Sequence, residues 1–151
     1  MVLSLGGALG VNARYWLAVG IERLTGTRFP WATLAINVSG AFVLGLLATM
    51  MARLQPHHPM RLLMLVGFLG GYTTFSTFAL ESHKLWETGE SGRSLGYMLG
   101  SVGAGFAAVA LGILIGRSVC GGGGPYPQRP AGAEARTTGG GVEGAELAEL
   151  A

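Results

Sequence analysis

The sequence predicts an all-α membrane protein of four transmembrane helices, the third of them broken. Three observations carry this. Half of the 151 residues are hydrophobic and only 12% are charged, with a mean hydropathy of +0.47; a soluble domain would carry about twice that share of charge. The apolar residues fall into four runs, each near the ~20 residues a helix needs to cross the hydrocarbon. Within the third run lies Gly67-Phe68-Leu69-Gly70-Gly71-Tyr72-Thr73-Thr74-Phe75-Ser76-Thr77-Phe78. Paired glycines cost helix stability, and Thr73, Thr74, Ser76 and Thr77 compete with the backbone for hydrogen bonds. In a membrane, non-helical backbone is tolerated only where protein or water satisfies it, so this stretch reads as a helix break beside a solute pathway.

The first span runs from about Leu3 to Ile21, interrupted by Asn12 and Arg14, and ends at Glu22-Arg23. No basic segment or small-residue cleavage site precedes Arg14, so it is expected to be a retained helix and not a cleaved signal. Pro30 and Trp31 suit the start of the second span, Trp31 as an interfacial anchor, and this span continues to about Met51 before Arg53. The third begins near Met60 and turns polar at Glu81-Ser82-His83-Lys84, with Trp86 at its far interface. The fourth extends from Leu95 to Ile115 and ends at Arg117. Residues 1–119 thus form one transmembrane unit. Residues 120–151, with Gly121 to Gly124, Pro125, Pro127, Pro130 and Gly139 to Gly141, are expected to be a disordered Gly/Pro-rich tail.

Small residues fill the spans. Gly96, Gly100, Gly103 and Gly105 give the fourth span small faces, as Ser39-Gly40-Ala41 and Gly45 give the second, which allows close helix approach. Four such helices do not easily enclose a pore, so an oligomer is expected. The flanking basic residues give almost no orientation bias: Arg53, Arg61 and Arg117 on one side, Arg23, Arg28, Lys84 and Arg93 on the other. Basic residues in short loops normally set orientation; three against four is either a weak signal or the mark of a protein that inserts both ways up.

Other classes fit poorly. A formal charge of +2 with no basic stripe gives no footprint for nucleic acid, and the single Cys120 excludes an internal disulfide. Ser76, Glu81 and His83 have neither metal-ligand spacing nor a nucleophile turn, so no enzyme is expected. His57 and His58 flank prolines in a loop and make a poor metal site. A small multidrug exporter would need a carboxylate within the first span, where Arg14 stands and no acid precedes Glu22. A non-transporting scaffold would leave the broken polar segment unexplained.

Several residues invite two readings. Asn37 offers an amide in mid-span, for a pore or for an inter-helix hydrogen bond. Phe75 and Phe78, three apart, share nearly one helical face; such a pair is usually core, although aromatic edges are electropositive and can face an anion. Arg14 is the only cation inside the first span and either snorkels or lines water.

Gly6-Gly7-Ala8-Leu9-Gly10 with Arg14-Tyr15, then Thr33-Leu34-Ala35-Ile36-Asn37-Val38-Ser39-Gly40, then the whole Gly67–Phe78 run, in this order, resemble the Fluc/CrcB family of fluoride channels. The resemblance covers about residues 5–117 and implies a dual-topology antiparallel homodimer of four-helix subunits with two fluoride pores. It implies a passive exit for cytoplasmic fluoride across the bacterial inner membrane. Asn37, Phe75 and Phe78 would then line the pore, with Ser76, Thr77, Tyr97 and Ser101 as a polar track, the last two on one face at i, i+4. Arg14 would make the vestibule electropositive. The backbone carbonyls of Gly70 and Thr73 would hold a structural sodium ion at the dimer centre. Glu81 matches a family acidic residue, expected to be structural and to pair with a base, a proton-coupled role being the other reading. Tyr72 stands where the family varies. Fluoride holds its water tightly, so a pore must replace that hydration with donors without trapping the ion.

Overall fold

A computed structural model describes residues 1–52, 54 and 57–120; Arg53 and the tail beyond Cys120 lie outside them. The described residues are helical and carry no strand. Helix α1 spans Val2–Thr25 and α2 spans Trp31–Met50, beginning at the tryptophan after Pro30. The next helical stretch, α3, covers residues 59–72 in three pieces, Pro59–Arg61, Leu62–Phe68 and Leu69–Tyr72. Thr73 and Thr74 then leave helical conformation, with ψ of 158° and 119°. Helix α4 resumes at Phe75–Glu87, and α5 spans Ser91–Cys120. Among the described residues, three segments are long and apolar enough to cross a membrane: Trp31–Met50, Pro59–Glu87 with its interruption, and Ser91–Cys120.

The helices pack chiefly in two pairs, α1 with α3 and α2 with α5, while α4 lies against α5. Both main pairs are built on glycine, because only a missing side chain lets helix backbones touch. Gly6 and Gly10 of α1 face Gly67 and Gly71 of α3, one turn apart on each helix. A Cβ at Gly10 would stand 2.9 Å from the Tyr72 amide nitrogen, and one at Gly71 would lie 2.7 Å from the Gly7 carbonyl oxygen. Gly45 meets the Val109 carbonyl, and Gly112 meets the Phe42 carbonyl and the Leu46 amide.

The small face expected of the fourth span makes no close approach among the described residues of the single chain. A Cβ at Gly96, Gly100, Gly103 or Gly105 would meet nothing within 4 Å; Gly112 and Gly116 make the contacts within the chain. Gly112→Ala is accordingly expected to destabilise the chain by about 1–3 kcal/mol, since backbone on the opposing helix must move. Gly20→Ala on α1, where a Cβ would also meet nothing within 4 Å, should leave it nearly unchanged. Thermal unfolding of the two purified variants checks this.

Leu62–Phe68 is a π-helix, with the Leu69 amide reaching back to Met64. Nothing in the local sequence signals this wider turn. It lies directly against the Gly6 face of α1, where Gly67 approaches the Gly6 Cα to 3.0 Å from its own absent Cβ.

Candidate functional site at the helix break

Three consecutive residues at the break are each held by another helix. The Tyr72 hydroxyl lies 2.9 Å from Ser39 Oγ of α2, and its ring stacks on Phe68 at 6.0 Å. The Thr73 carbonyl accepts from Arg14 Nη1 of α1 at 3.4 Å. Asn37 takes both sides of Thr74: its Nδ2 donates to the Thr74 carbonyl at 3.0 Å and its Oδ1 accepts the Thr74 amide at 2.9 Å. The break therefore follows from sequence and packing together. Glycine and threonine weaken the helix, and a mid-span amide satisfies the backbone groups that the weakened helix releases.

Asn37 thus makes an inter-helix hydrogen bond, the second of the two roles its mid-span amide allowed. An amide nitrogen carries two N–H groups, and one goes to Thr74. The side chain also borders a cavity of about 370 Å³, shared with Gly70, Thr73, Thr74 and Phe75. Asn37 of α2 and residues of the Gly67–Phe78 run meet there.

Thr74 also starts α4. Its Oγ1 accepts the Thr77 amide at 3.3 Å as an N-cap and donates to Thr77 Oγ1 at 3.0 Å; Ser76 Oγ lies 3.4 Å away. Ser76 and Thr77 are thereby drawn toward the cap, with no hydrogen bond to Tyr97 or Ser101 among the described residues. Phe75 and Phe78 do come together, ring centroids 5.8 Å apart. Phe75 projects from the chain at 79% exposure, whereas Phe78 packs against Tyr97 at 5.2 Å.

Tyr97 is 1% exposed. Its hydroxyl donates to Glu81 Oε2 at 2.9 Å, and Thr33 Oγ1 donates to Glu81 Oε1 at 2.9 Å. Glu81 was expected to pair with a base. Instead Arg93 pairs with Glu90 and His83 lies 3.3 Å from Glu87, and Glu81 is held by two hydroxyls. Ser101 Oγ, one turn from Tyr97, is buried without a hydrogen-bond partner among the described residues. Arg14 is half-buried and turned to the break, not free at an interface.

Sequence reasoning missed Ser39, Thr33 and the α1–α3 glycine pairs. The Gly6–Gly10 and Gly67–Gly71 spacing was visible and could have suggested a close crossing; the Thr33–Glu81 bond left no local signal.

The family model described as CrcB-like protein, Camphor Resistance (CrcB), matches residues 1–113. The chain belongs to the CrcB family. Similar proteins include one from Solibacter usitatus (strain Ellin6076), 47% identical over 118 residues, covering 78% of this chain and 97% of that one. Another from Paracoccus denitrificans (strain Pd 1222) is 46% identical, over 78% and 93% of the two chains, and one from Chelativorans sp. (strain BNC1) is 42% identical, over 79% and 96%. All three are called fluoride-specific ion channel FluC. The CrcB match covers every helix bearing on the break and most of α5. With its apolar helices, this member of the family is a multi-pass membrane protein.

Proposed function

We propose that the chain is a subunit of a fluoride-selective channel that lets cytoplasmic fluoride leave the cell passively and so limits its toxicity. The observation that carries this is the shared cavity at the break, where Asn37, Thr73, Thr74 and Phe75 meet in a chain whose relatives are called fluoride-specific ion channels. The cavity offers polar groups and an aromatic edge but no fixed counter-charge in its lining, which suits an ion that must be dehydrated and then released.

In this reading α1 also crosses the membrane, as the first of four spans. Its 24 residues extend about 36 Å, and Arg14, its mid-span cation, turns inward to protein. The interrupted segment at residues 59–87 is the broken third span. The working unit is an antiparallel homodimer in the inner membrane. The exposure of Phe75, Leu99, Val102 and Phe106, together with the open Gly96–Gly103 stripe, supports a further copy against α4 and α5. Phe75, Phe78 and Asn37 line the pore, with Ser76, Thr77, Tyr97 and Ser101 as its polar track; the unpartnered Ser101 Oγ supports a donor reserved for an ion. Arg14 adds positive potential at the approach.

Structural sodium fits the chemistry of Gly70 and Thr73. The Thr74 amide, which would reach back to Gly70 in an unbroken helix, goes to Asn37, and the Thr77 amide, due to Thr73, goes to Thr74 Oγ1. Both carbonyls lose their helical donors, and carbonyl oxygen suits a hard cation. A carbonyl has two lone pairs, so Thr73 can serve Arg14 and an ion. Two oxygens are half a shell at most; the other half belongs to the second copy.

The test is ion efflux from liposomes containing the purified protein. Rapid fluoride loss without chloride loss is expected. Efflux only under a proton gradient would replace the channel with a coupled exporter, and no fluoride movement from folded protein would favour a scaffold.

A further inference from the structure

Glu81 lies one turn beyond Phe78 on α4, and both of its oxygens are engaged by hydroxyl groups from other helices, Thr33 of α2 and Tyr97 of α5. Thr33 and Tyr97 are buried, at 5% and 1% exposure, so neither donor is free to turn to solvent. A cavity of about 410 Å³ beside the 26–30 loop reaches this carboxylate, and Arg28, Lys84, Glu22 and Glu90 also line it. Neither Thr33 nor Tyr97 lines the cavity, so an anion entering there meets the carboxylate and reaches the two donors only beyond it.

An ionised carboxylate only accepts hydrogen bonds, and each hydroxyl has one proton to give. While Glu81 holds both protons, Tyr97 and Thr33 present only lone pairs to anything else. For Tyr97 to coordinate fluoride, its proton must leave Glu81. We propose that Glu81 is a tethered rival anion: it competes with fluoride for the Tyr97 and Thr33 hydroxyls and so keeps this part of the pathway from binding fluoride tightly. This rests on the channel reading above. It assigns Glu81 a positioning role that acts through Tyr97 and Thr33, and it meets the requirement that a conducted ion be released as readily as it is admitted. Charge-assisted hydrogen bonds are the stronger kind, which makes a carboxylate an effective competitor for a small anion.

Glu81→Gln tests it. The variant keeps the shape, loses the charge and accepts through one oxygen only, so one hydroxyl is released. In liposome flux measurements the half-saturating fluoride concentration is expected to fall by about tenfold, the factor that one strengthened hydrogen bond of ~1.4 kcal/mol sets. Maximal flux is expected to fall with it. In a Tyr97→Phe/Thr33→Val background the same substitution should leave half-saturation unmoved. A drop in maximal flux with unchanged half-saturation would mark Glu81 as merely structural and overturn the proposal, as would a shift that persists without the two hydroxyls.

The wild type gives a second measurement that needs no substitution. Fluoride-minus-chloride infrared difference spectra should show a saturable shift of a carboxylate stretch, as fluoride draws a hydroxyl from Glu81. No carboxylate change at saturating fluoride would overturn the competition. Absence of wild-type fluoride flux, by contrast, would remove the channel reading itself.

Discussion

Phe75→Ile protein is expected to fold like the wild type and to release fluoride several-fold more slowly. The ring is 79% exposed in the chain and stands at the first residue of α4, where it adds little to the packing of its own subunit. Its main neighbour is Phe78, at 5.8 Å, and it borders both the cavity at the break and a second one of about 470 Å³ beside Phe78 and Trp86. Isoleucine fills similar space but has no electropositive edge. An aromatic electrostatic contact is worth ~0.5–1.5 kcal/mol, so losing it should slow efflux by about two- to twelvefold if the ring stabilises the passing ion at the barrier. The measurement is the liposome assay, with a monodisperse gel-filtration profile as the folding control. Undiminished fluoride efflux would take the ring out of the pathway.

Asn37→Leu is expected to cost more stability than any other single change at the break. The leucine removes both bonds to Thr74 and leaves an amide and a carbonyl without partners in the membrane interior. Each such group costs about 1–3 kcal/mol, so roughly 2–6 kcal/mol should be lost, and efflux with it. Ser39→Ala provides the comparison. It removes one hydroxyl contact with Tyr72, should cost about 1 kcal/mol, and should leave efflux intact. Thermal unfolding in detergent ranks the two; equal, small losses would mean that water satisfies Thr74 and that Asn37 does not hold the break.

Together the two substitutions separate the construction of the break from what lies beside it. Asn37 and the glycine crossings set the backbone path, while Phe75 adds little to that framework and borders the cavity it leaves. The same separation explains why Glu81 escaped the expected ion pair. Its partners, Thr33 and Tyr97, are 48 and 16 residues away and neutral, so neither charge pattern nor spacing points to them.

What the sequence determined by itself is local. Low charge and apolar run length set the membrane class; paired glycines and clustered hydroxyls marked the break at Thr73 and Thr74; the three-residue spacing of Phe75 and Phe78 put their rings together. Tertiary structure decided which of many glycines carry contacts, since Gly112 and Gly103 differ in nothing but the side of α5 they occupy. It also decided where Asn37 and Arg14 spend their donors, and that Ser76 and Thr77 turn to the Thr74 cap. The physical reason is the same each time. Helix periodicity and backbone preference are properties of neighbouring residues, whereas a hydrogen-bond partner on another helix depends on how helices far apart in the chain cross, and that is fixed only when they pack.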